Sequence, residues 1–81
     1  MKFLCPWEEI ASFGNLVEFR SFERWMTGQV SAGMARQVPV ARPLADDGVL
    51  VEVWYLHLKS RETWRLVVPE PPFNGVFQKI A

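Results

Sequence analysis

Apolar and polar side chains alternate most regularly along residues 49 to 68, and this alternation predicts two β-strands. Successive side chains of a strand point to opposite sides, so residues two apart share a face. In the first run, 49–59, one face carries the apolar residues Trp54, Leu56 and Leu58. In the second run, 63–68, the apolar stripe consists of Trp64, Leu66 and Val68. Together the two runs predict a β-hairpin.

The length of the hairpin loop decides whether these two apolar stripes share a face. A two-residue loop would place Trp64 opposite Lys59 and put the stripes on opposite faces of the hairpin. A three-residue loop at 60–62 pairs Trp64 with Leu58 and puts both stripes on one face. Because a slip of one residue moves a whole set of side chains to the other face, a buried face favours one register strongly. We therefore predict the three-residue loop.

The first forty residues carry the periodicity of helices. Pro6 followed by two glutamates predicts the start of a short first helix that stops near Gly14, since proline and acidic residues favour a helix N-terminus. Ser21 predicts the N-cap of a longer second helix, which has to end before Pro39. One stripe of that second helix is apolar: Phe22, Trp25, Met26, Val30 and Met34.

The end of the chain predicts a corner and a third strand. Proline cannot donate a backbone hydrogen bond, so Pro69, Pro71 and Pro72 end the hairpin near Val68. Pro69 and Pro72 also match the P-x-x-P spacing of peptides that bind SH3-type domains, but their apolar surroundings favour a corner of the fold. Asn74 and Gly75 predict a tight turn into an edge strand over residues 76–80.

These elements predict one α+β domain over residues 1–81. Two N-terminal helices pack on a small antiparallel three-stranded sheet, which consists of the hairpin 49–59/63–68 and the edge strand 76–80. Residues 38–48 are expected to be an irregular connection with at most a short edge strand. With 49% hydrophobic residues and four tryptophans in 81 residues, the chain is apolar enough to form a dense core.

Charge and cysteine content narrow the classes of partner and compartment. Nine basic residues balance nine acidic ones, so no net charge draws the chain to nucleic acid or to an anionic membrane. The near-zero charge permits self-association, and a homodimer through an edge strand is one alternative. The single cysteine suits a reducing compartment, and neither a secretory signal pattern nor a membrane-length apolar run is present. We expect a cytoplasmic protein.

Few residues in the chain offer catalytic or metal-binding chemistry. Cys5 and His57, the one cysteine and the one histidine, would be the members of a thiolate–imidazolium pair, but no family signature surrounds either residue. A zinc site would need more thiolate and imidazole ligands than these two. Gly28 and Gly33 have the spacing of a phosphate-binding loop but lack the lysine that follows it. We therefore predict no enzymatic activity, no metal and no cofactor.

Two sequence patterns resemble a group of small bacterial proteins. The patterns are W-R-L followed by P-x-x-P-F-x-G-x-F, and F-x-x-W-x-x-x-Q in the predicted second helix. Their residues are Trp64, Arg65, Leu66, Pro69, Pro72, Phe73, Gly75 and Phe77, with Phe22, Trp25 and Gln29. In these positions the chain is similar to uncharacterised bacterial proteins of the type that confers immunity to polymorphic toxins. The resemblance implies a protein partner, a toxin, and covers about half the chain.

The leading hypothesis is therefore a small non-enzymatic protein-binding domain, with an immunity-type toxin neutraliser as its specific form. Candidate partner-binding residues are Tyr55, His57 and Arg65, which the predicted register places together on the mixed face of the sheet. Asp46 and Asp47 add an acidic turn to the candidates. The alternatives are an enzyme or small-ligand-binding protein with a pocket between helix and sheet, and a homo-oligomeric structural subunit.

Overall fold

A computed structural model of the chain describes residues 6–42, 51–70 and 72–81. Within these ranges the chain forms one helix and a four-stranded antiparallel sheet. In chain order the elements are α1 (Leu16–Ser31), β1 (Ala35–Val38), β2 (Glu52–His57), β3 (Glu62–Val67) and β4 (Val76–Lys79). The strands lie in the order β1-β2-β3-β4, so each one pairs with its neighbour in sequence. The α+β class is confirmed, but the predicted count of two helices and three strands is wrong.

The predicted first helix is absent, and residues 6–13 form a non-helical arm beside β4. Ile10 makes an isolated antiparallel bridge to Phe77, with N–H···O distances of 2.8 and 2.9 Å in the two directions. Phe13 N donates to Asn74 O at 3.1 Å. A helix of this length closes few hydrogen bonds for the residues it fixes, whereas the arm satisfies its backbone on a strand edge. We call residues 6–13 the N-terminal arm.

Helix α1 begins earlier than the predicted cap at Ser21. Asn15 is the N-cap, and its side-chain oxygen accepts from Glu18 N at 2.9 Å. The Glu18 carboxylate in turn accepts from Gly14 N at 2.7 Å, a reciprocal arrangement that resembles a capping box. Two unpaired backbone donors at the helix start are thereby satisfied, which explains why the helix starts here.

The helix also ends earlier than predicted, at a glycine rather than at Pro39. Gly33 has a positive φ of 76° and donates to Val30 O at 3.1 Å, while Met34 N donates to Gln29 O at 3.0 Å. This pair of bonds is a Schellman motif, which requires a left-handed residue that glycine adopts at low cost. The early end releases residues 35–37, predicted to be helical, to form the edge strand β1 together with Val38, the first residue of the predicted connection.

The register of the β2–β3 hairpin differs from the predicted one. Tyr55 pairs with Trp64 and Trp54 pairs with Arg65, so the loop covers residues 58–61 instead of 60–62. Arg61 closes the loop with a positive φ of 64° and donates its N–H to His57 O at 2.8 Å. The two apolar stripes therefore lie on opposite faces of the sheet, which contradicts the prediction.

Burial on both faces of β3 explains why the alternation was misleading. Trp64 and Leu66 face the helix, while Val67 points to the far side and is also fully buried. Tyr55 and His57 complete the helix-facing side of β2. When both faces of a strand are covered, apolar alternation no longer selects a single register.

The core lies between α1, the N-terminal arm and the helix-facing side of the sheet. Its buried residues are Trp7, Phe13, Phe19, Met26, Ala35, Tyr55, Trp64, Leu66 and Phe77. Of the apolar row predicted on the helix, Met26 is fully buried and Phe22 is half-buried, but Trp25 is 46% exposed. Phe19, which the predicted helix did not include, is fully buried.

The connection from β3 to β4 confirms the predicted corner and edge strand, but the chain reverses between Glu70 and Phe73 and not at the predicted Asn74–Gly75 turn. Strand β3 ends at Val67, and Glu70 and Phe73 then exchange backbone hydrogen bonds of 2.9 and 2.8 Å. Gly75 has a positive φ of 81° and leads directly into β4. In the described ranges, no helix has both the length and the apolar character needed to span a membrane.

Candidate functional site

The structure separates the residues that were predicted to share one partner-binding face. Tyr55 and His57 lie on the helix-facing side of β2 and are only 4% and 2% exposed. Arg65 lies on the opposite side of the sheet, paired with Trp54. The expected open face with these three side chains therefore does not exist, because the register differs from the predicted one. Asp46 and Asp47 lie outside the described residues.

His57 is held as a neutral imidazole by its neighbours. Its Nδ1 accepts from Ser60 Oγ at 2.8 Å and from Ser60 N at 3.3 Å, so the hydrogen bonds assign the ring proton to Nε2. Glu62 N donates to the same Ser60 hydroxyl at 3.3 Å, which leaves the hydroxyl proton for the imidazole. Burial lowers the pKa of His57; the nearby Lys59 charge acts in the same direction and Glu62 opposes it.

The other nitrogen of His57 has no conventional hydrogen-bond partner. Among the described residues, Nε2 is the one buried side-chain nitrogen or oxygen that makes no hydrogen bond. The ring of Trp7 packs against the imidazole edge-to-face, with 4.8 Å between centroids and 76° between planes. Such a geometry suits a weak contact between an N–H group and an aromatic face. The imidazole is thus packed in the core, and Cys5, its hypothetical catalytic partner, lies outside the described residues.

Arg65 is committed to a structural network on the far side of the sheet. Its Nε donates to Glu52 Oε2 at 2.7 Å, and its Nη2 donates to Arg42 O at 2.9 Å. The guanidinium lies 5.5 Å from the ring centroid of Trp54, whose indole also donates to Glu52 at 2.8 Å. A buried arginine needs such compensation, and here the carboxylate, the carbonyl and the indole provide it.

An open cleft with aromatic walls lies between the N-terminal arm and α1. Its volume is about 280 Å³. The residues that line it are Pro6, Trp7, Glu8, Glu9, Ile10, Phe22, Trp25 and Phe77. We call this feature the Trp25 cleft. Sequence reasoning missed it, because the arm was predicted to be a helix and Trp25 a core residue.

The walls of the Trp25 cleft are aromatic rings fixed by one another. Trp7 meets Trp25 edge-to-face at 6.4 Å between centroids, and Phe22 lies 5.7 Å from Trp25. Phe77 lies 4.7 Å from Phe22 and 5.9 Å from Trp7. The Trp7 indole also donates to Gln29 Oε1 on the helix at 3.4 Å. These contacts hold the arm and helix together while one wall, Trp25, stays nearly half exposed.

Trp25 is more exposed than the other aromatic residues of the helix, and it lies away from the exposed aliphatic residues at the start of α1. Leu16 and Val17 are 56% and 75% exposed; neither lines the Trp25 cleft, although Leu16 lines a separate cavity of about 290 Å³ with Phe13 and Phe73. Single exposed aliphatic residues are common on protein surfaces. A tryptophan that forms the wall of an open aromatic cleft is unusual, because burying its large ring would stabilise the protein.

Metal-binding clusters and other cavities are the remaining candidate sites in the described ranges. No group of three or more His, Cys, Asp or Glu side chains there could hold a metal ion. A second cavity, of about 340 Å³, lies on the far side of the sheet beside Trp54, Thr63 and Arg65. The buried Arg65 guanidinium beside this cavity is already paired with Glu52, and the exposed Arg42 also lines it.

Comparisons with protein-family models, curated proteins and solved structures found no match to this chain.

Proposed function

We propose that this chain is a small non-enzymatic protein-binding domain and that the Trp25 cleft is its binding surface. The observation that carries the proposal is the solvent exposure of Trp25 within a cleft walled by Trp7 and Phe22. Tryptophan is among the residues enriched at the energetic centres of protein interfaces. A partner side chain in this cleft would bury the exposed part of the indole, which the isolated chain leaves in water.

The open shape of the cleft supports a protein partner over a small molecule. Small-molecule sites usually enclose about 300–1,000 Å³ and surround most of the ligand. The Trp25 cleft, at about 280 Å³ and open to solvent, is suited to one or two side chains that project from a larger partner.

The specific form of the proposal is an immunity-type protein whose partner is a toxin. Its support is the sequence resemblance, whose helical pattern consists of Phe22, Trp25 and Gln29. Phe22 and Trp25 line the cleft, and Gln29 accepts the hydrogen bond from the Trp7 indole. Two residues of the helical pattern therefore line the proposed binding surface, and the third holds Trp7 beside it.

The test compares two variants of exposed residues on the same helix. Trp25→Ala removes the wall of the cleft, and Val17→Ala removes an exposed side chain outside it. Affinity-tagged wild type and both variants are used to capture proteins from the native cell extract, and captured proteins are then purified and titrated. We expect a partner that binds wild type and Val17→Ala equally and Trp25→Ala about 30-fold more weakly, as for an interface centre worth about 2 kcal/mol.

The proposal is contradicted if every captured partner binds folded Trp25→Ala as tightly as wild type. Circular dichroism and urea denaturation establish that the variants are folded. Val17→Ala is expected to be nearly neutral because its side chain is 75% exposed, whereas Trp25→Ala is expected to lose the ring contacts with Trp7 and Phe22 and still fold.

A second candidate function is a homodimer through the edge strand β1. Strand β1 pairs with β2 on one side, and none of the described residues pairs with its other edge. The outer edge of β4, in contrast, is partly covered by the bridge from Ile10. Sedimentation velocity over a range of concentrations tests this candidate, and a monomer at the highest concentration contradicts it.

A further inference from the structure

Two exposed glutamates, Glu8 and Glu9, are among the residues that line the Trp25 cleft, and we call them its rim. Glu9 also lines a neighbouring cavity beside β4. Within the part of the chain that the structure describes, neither carboxylate makes a salt bridge or a side-chain hydrogen bond. The cleft lining contains no lysine or arginine. The rim therefore presents negative charge that the residues of the lining do not neutralise.

The aromatic walls of the cleft also favour a positively charged occupant. Aromatic faces attract cations, and tryptophan does so most strongly. Trp25 offers an exposed indole, and Phe22 and Trp7 lie beside it. A neutral apolar side chain would use the walls but leave the carboxylates without a partner, whereas an acidic side chain would be repelled by them.

We infer that the occupant of the Trp25 cleft is a basic side chain, preferably arginine, from an exposed segment of the partner protein. The inference rests on the proposed function of the cleft. A guanidinium stacks on an indole face and forms paired hydrogen bonds to a carboxylate, so it uses both features of the cleft together. Lysine would bind the carboxylates as a point charge and stack less well.

The inference is tested with synthetic peptides that differ in one position. The peptides Ac-Gly-Leu-Xaa-Leu-Gly-amide carry arginine, its neutral isostere citrulline, or glutamate at Xaa. Nuclear magnetic resonance of the ¹⁵N-labelled protein follows the indole N–H signals, and Trp25→Phe identifies the signal of Trp25. We expect the arginine peptide to shift that signal and to bind about fivefold or more tighter than the citrulline peptide, with the glutamate peptide weakest.

Charge variants of the protein distinguish the effect of the two rim glutamates on peptide binding from the effect of the protein's net charge. Glu8→Gln with Glu9→Gln removes the rim charges, and Glu70→Gln removes an exposed charge outside the cleft. We expect the double variant to lose most of the preference for arginine over citrulline, and Glu70→Gln to keep it. Added salt is expected to weaken binding of the arginine peptide and to leave the citrulline peptide nearly unchanged.

The possible outcomes distinguish this inference from the proposed function. If arginine and citrulline peptides shift the Trp25 signal with equal affinity, the cleft binds peptides but the inference of a basic occupant is wrong. A glutamate peptide that binds best also overturns it. If none of the peptides shifts the Trp25 signal, the basic occupant is excluded, while the Trp25-dependent capture of a partner tests the proposed function separately.

Discussion

Substitution of Trp7 by alanine is expected to destabilise the protein severely, because Trp7 anchors the N-terminal arm. The side chain is only 6% exposed, and its ring contacts the rings of His57, Trp64, Phe77 and Trp25 at centroid distances of 4.8 to 6.4 Å. The indole also donates a hydrogen bond to the helix. Removing the Trp7 side chain leaves a cavity where the N-terminal arm, the helix and the sheet meet.

The expected magnitude follows from this burial. Replacing a buried tryptophan by alanine typically costs about 3–5 kcal/mol, which combines lost transfer energy and the cavity. A domain of this size has a free energy of unfolding of roughly 4–12 kcal/mol, at about 0.05–0.15 kcal/mol per residue. Trp7→Ala is therefore expected to remove a large part of the stability. Trp25→Ala, whose ring is nearly half exposed, is expected to cost less, about 2–3 kcal/mol, because roughly half of the tryptophan surface is removed from water.

Urea denaturation followed by far-ultraviolet circular dichroism measures both values under identical conditions. The conservative variant Trp7→Phe keeps a ring but loses the hydrogen bond to Gln29, and is expected to fall between wild type and Trp7→Ala. If Trp7→Ala unfolds at nearly the same urea concentration as wild type, Trp7 is not packed in the core. In that case the arrangement of the arm and the cleft it forms is wrong.

The remaining predictions concern pH and backbone conformation. Burial lowers the pKa of His57 below its usual 6.5, so at pH values below 6.5 the unfolded chain binds a proton that the folded chain excludes. The contribution of His57 to the free energy of unfolding is therefore complete above pH 6.5 and decreases below it. The difference in unfolding free energy between wild type and His57→Gln is expected to fall as the pH decreases from 6.5, and a constant difference would refute the assignment. Gly75→Ala is expected to cost more than about 1 kcal/mol, since φ is +81° and a Cβ would lie 2.9 Å from Val67 O. Gly28 in the middle of the helix provides the control, because a Cβ there meets nothing within 4 Å. Gly28→Ala is expected to stabilise the protein by about 0.5–1 kcal/mol. Thermal or urea denaturation that shows equal effects for the two substitutions would contradict the structure.

The sequence was most informative where local chemistry restricts the backbone. The prolines and the Asn74–Gly75 pair predicted the end of β3 and the start of β4 because proline and glycine allow few alternatives there. The two ends of α1 are also encoded locally, by Asn15 with Glu18 and by Gly33, although the apolar periodicity predicted a later start and a later end. A capping pattern and a single glycine proved more reliable here than the spacing of large side chains.

The sequence was least informative where tertiary contacts decide between alternatives. The hairpin register depends on which faces are covered, and the burial of Val67 and Trp64 on opposite faces cannot be inferred from alternation alone. The arm adopts its conformation because Ile10 pairs with Phe77 across most of the chain length. Hence the candidate residues Tyr55 and His57, predicted to face a partner, are core residues, and Trp25, predicted to be core, is the exposed one.

The account depends most on the position of the N-terminal arm along β4, since this creates the Trp25 cleft. Amide hydrogen exchange and nuclear Overhauser effects measured by nuclear magnetic resonance on one labelled sample test it directly. The hydrogen bonds between Ile10 and Phe77 predict slow exchange at both amides and cross-strand contacts between their backbone protons. Fast exchange at Ile10, with helical chemical shifts over residues 7–13, would contradict the account.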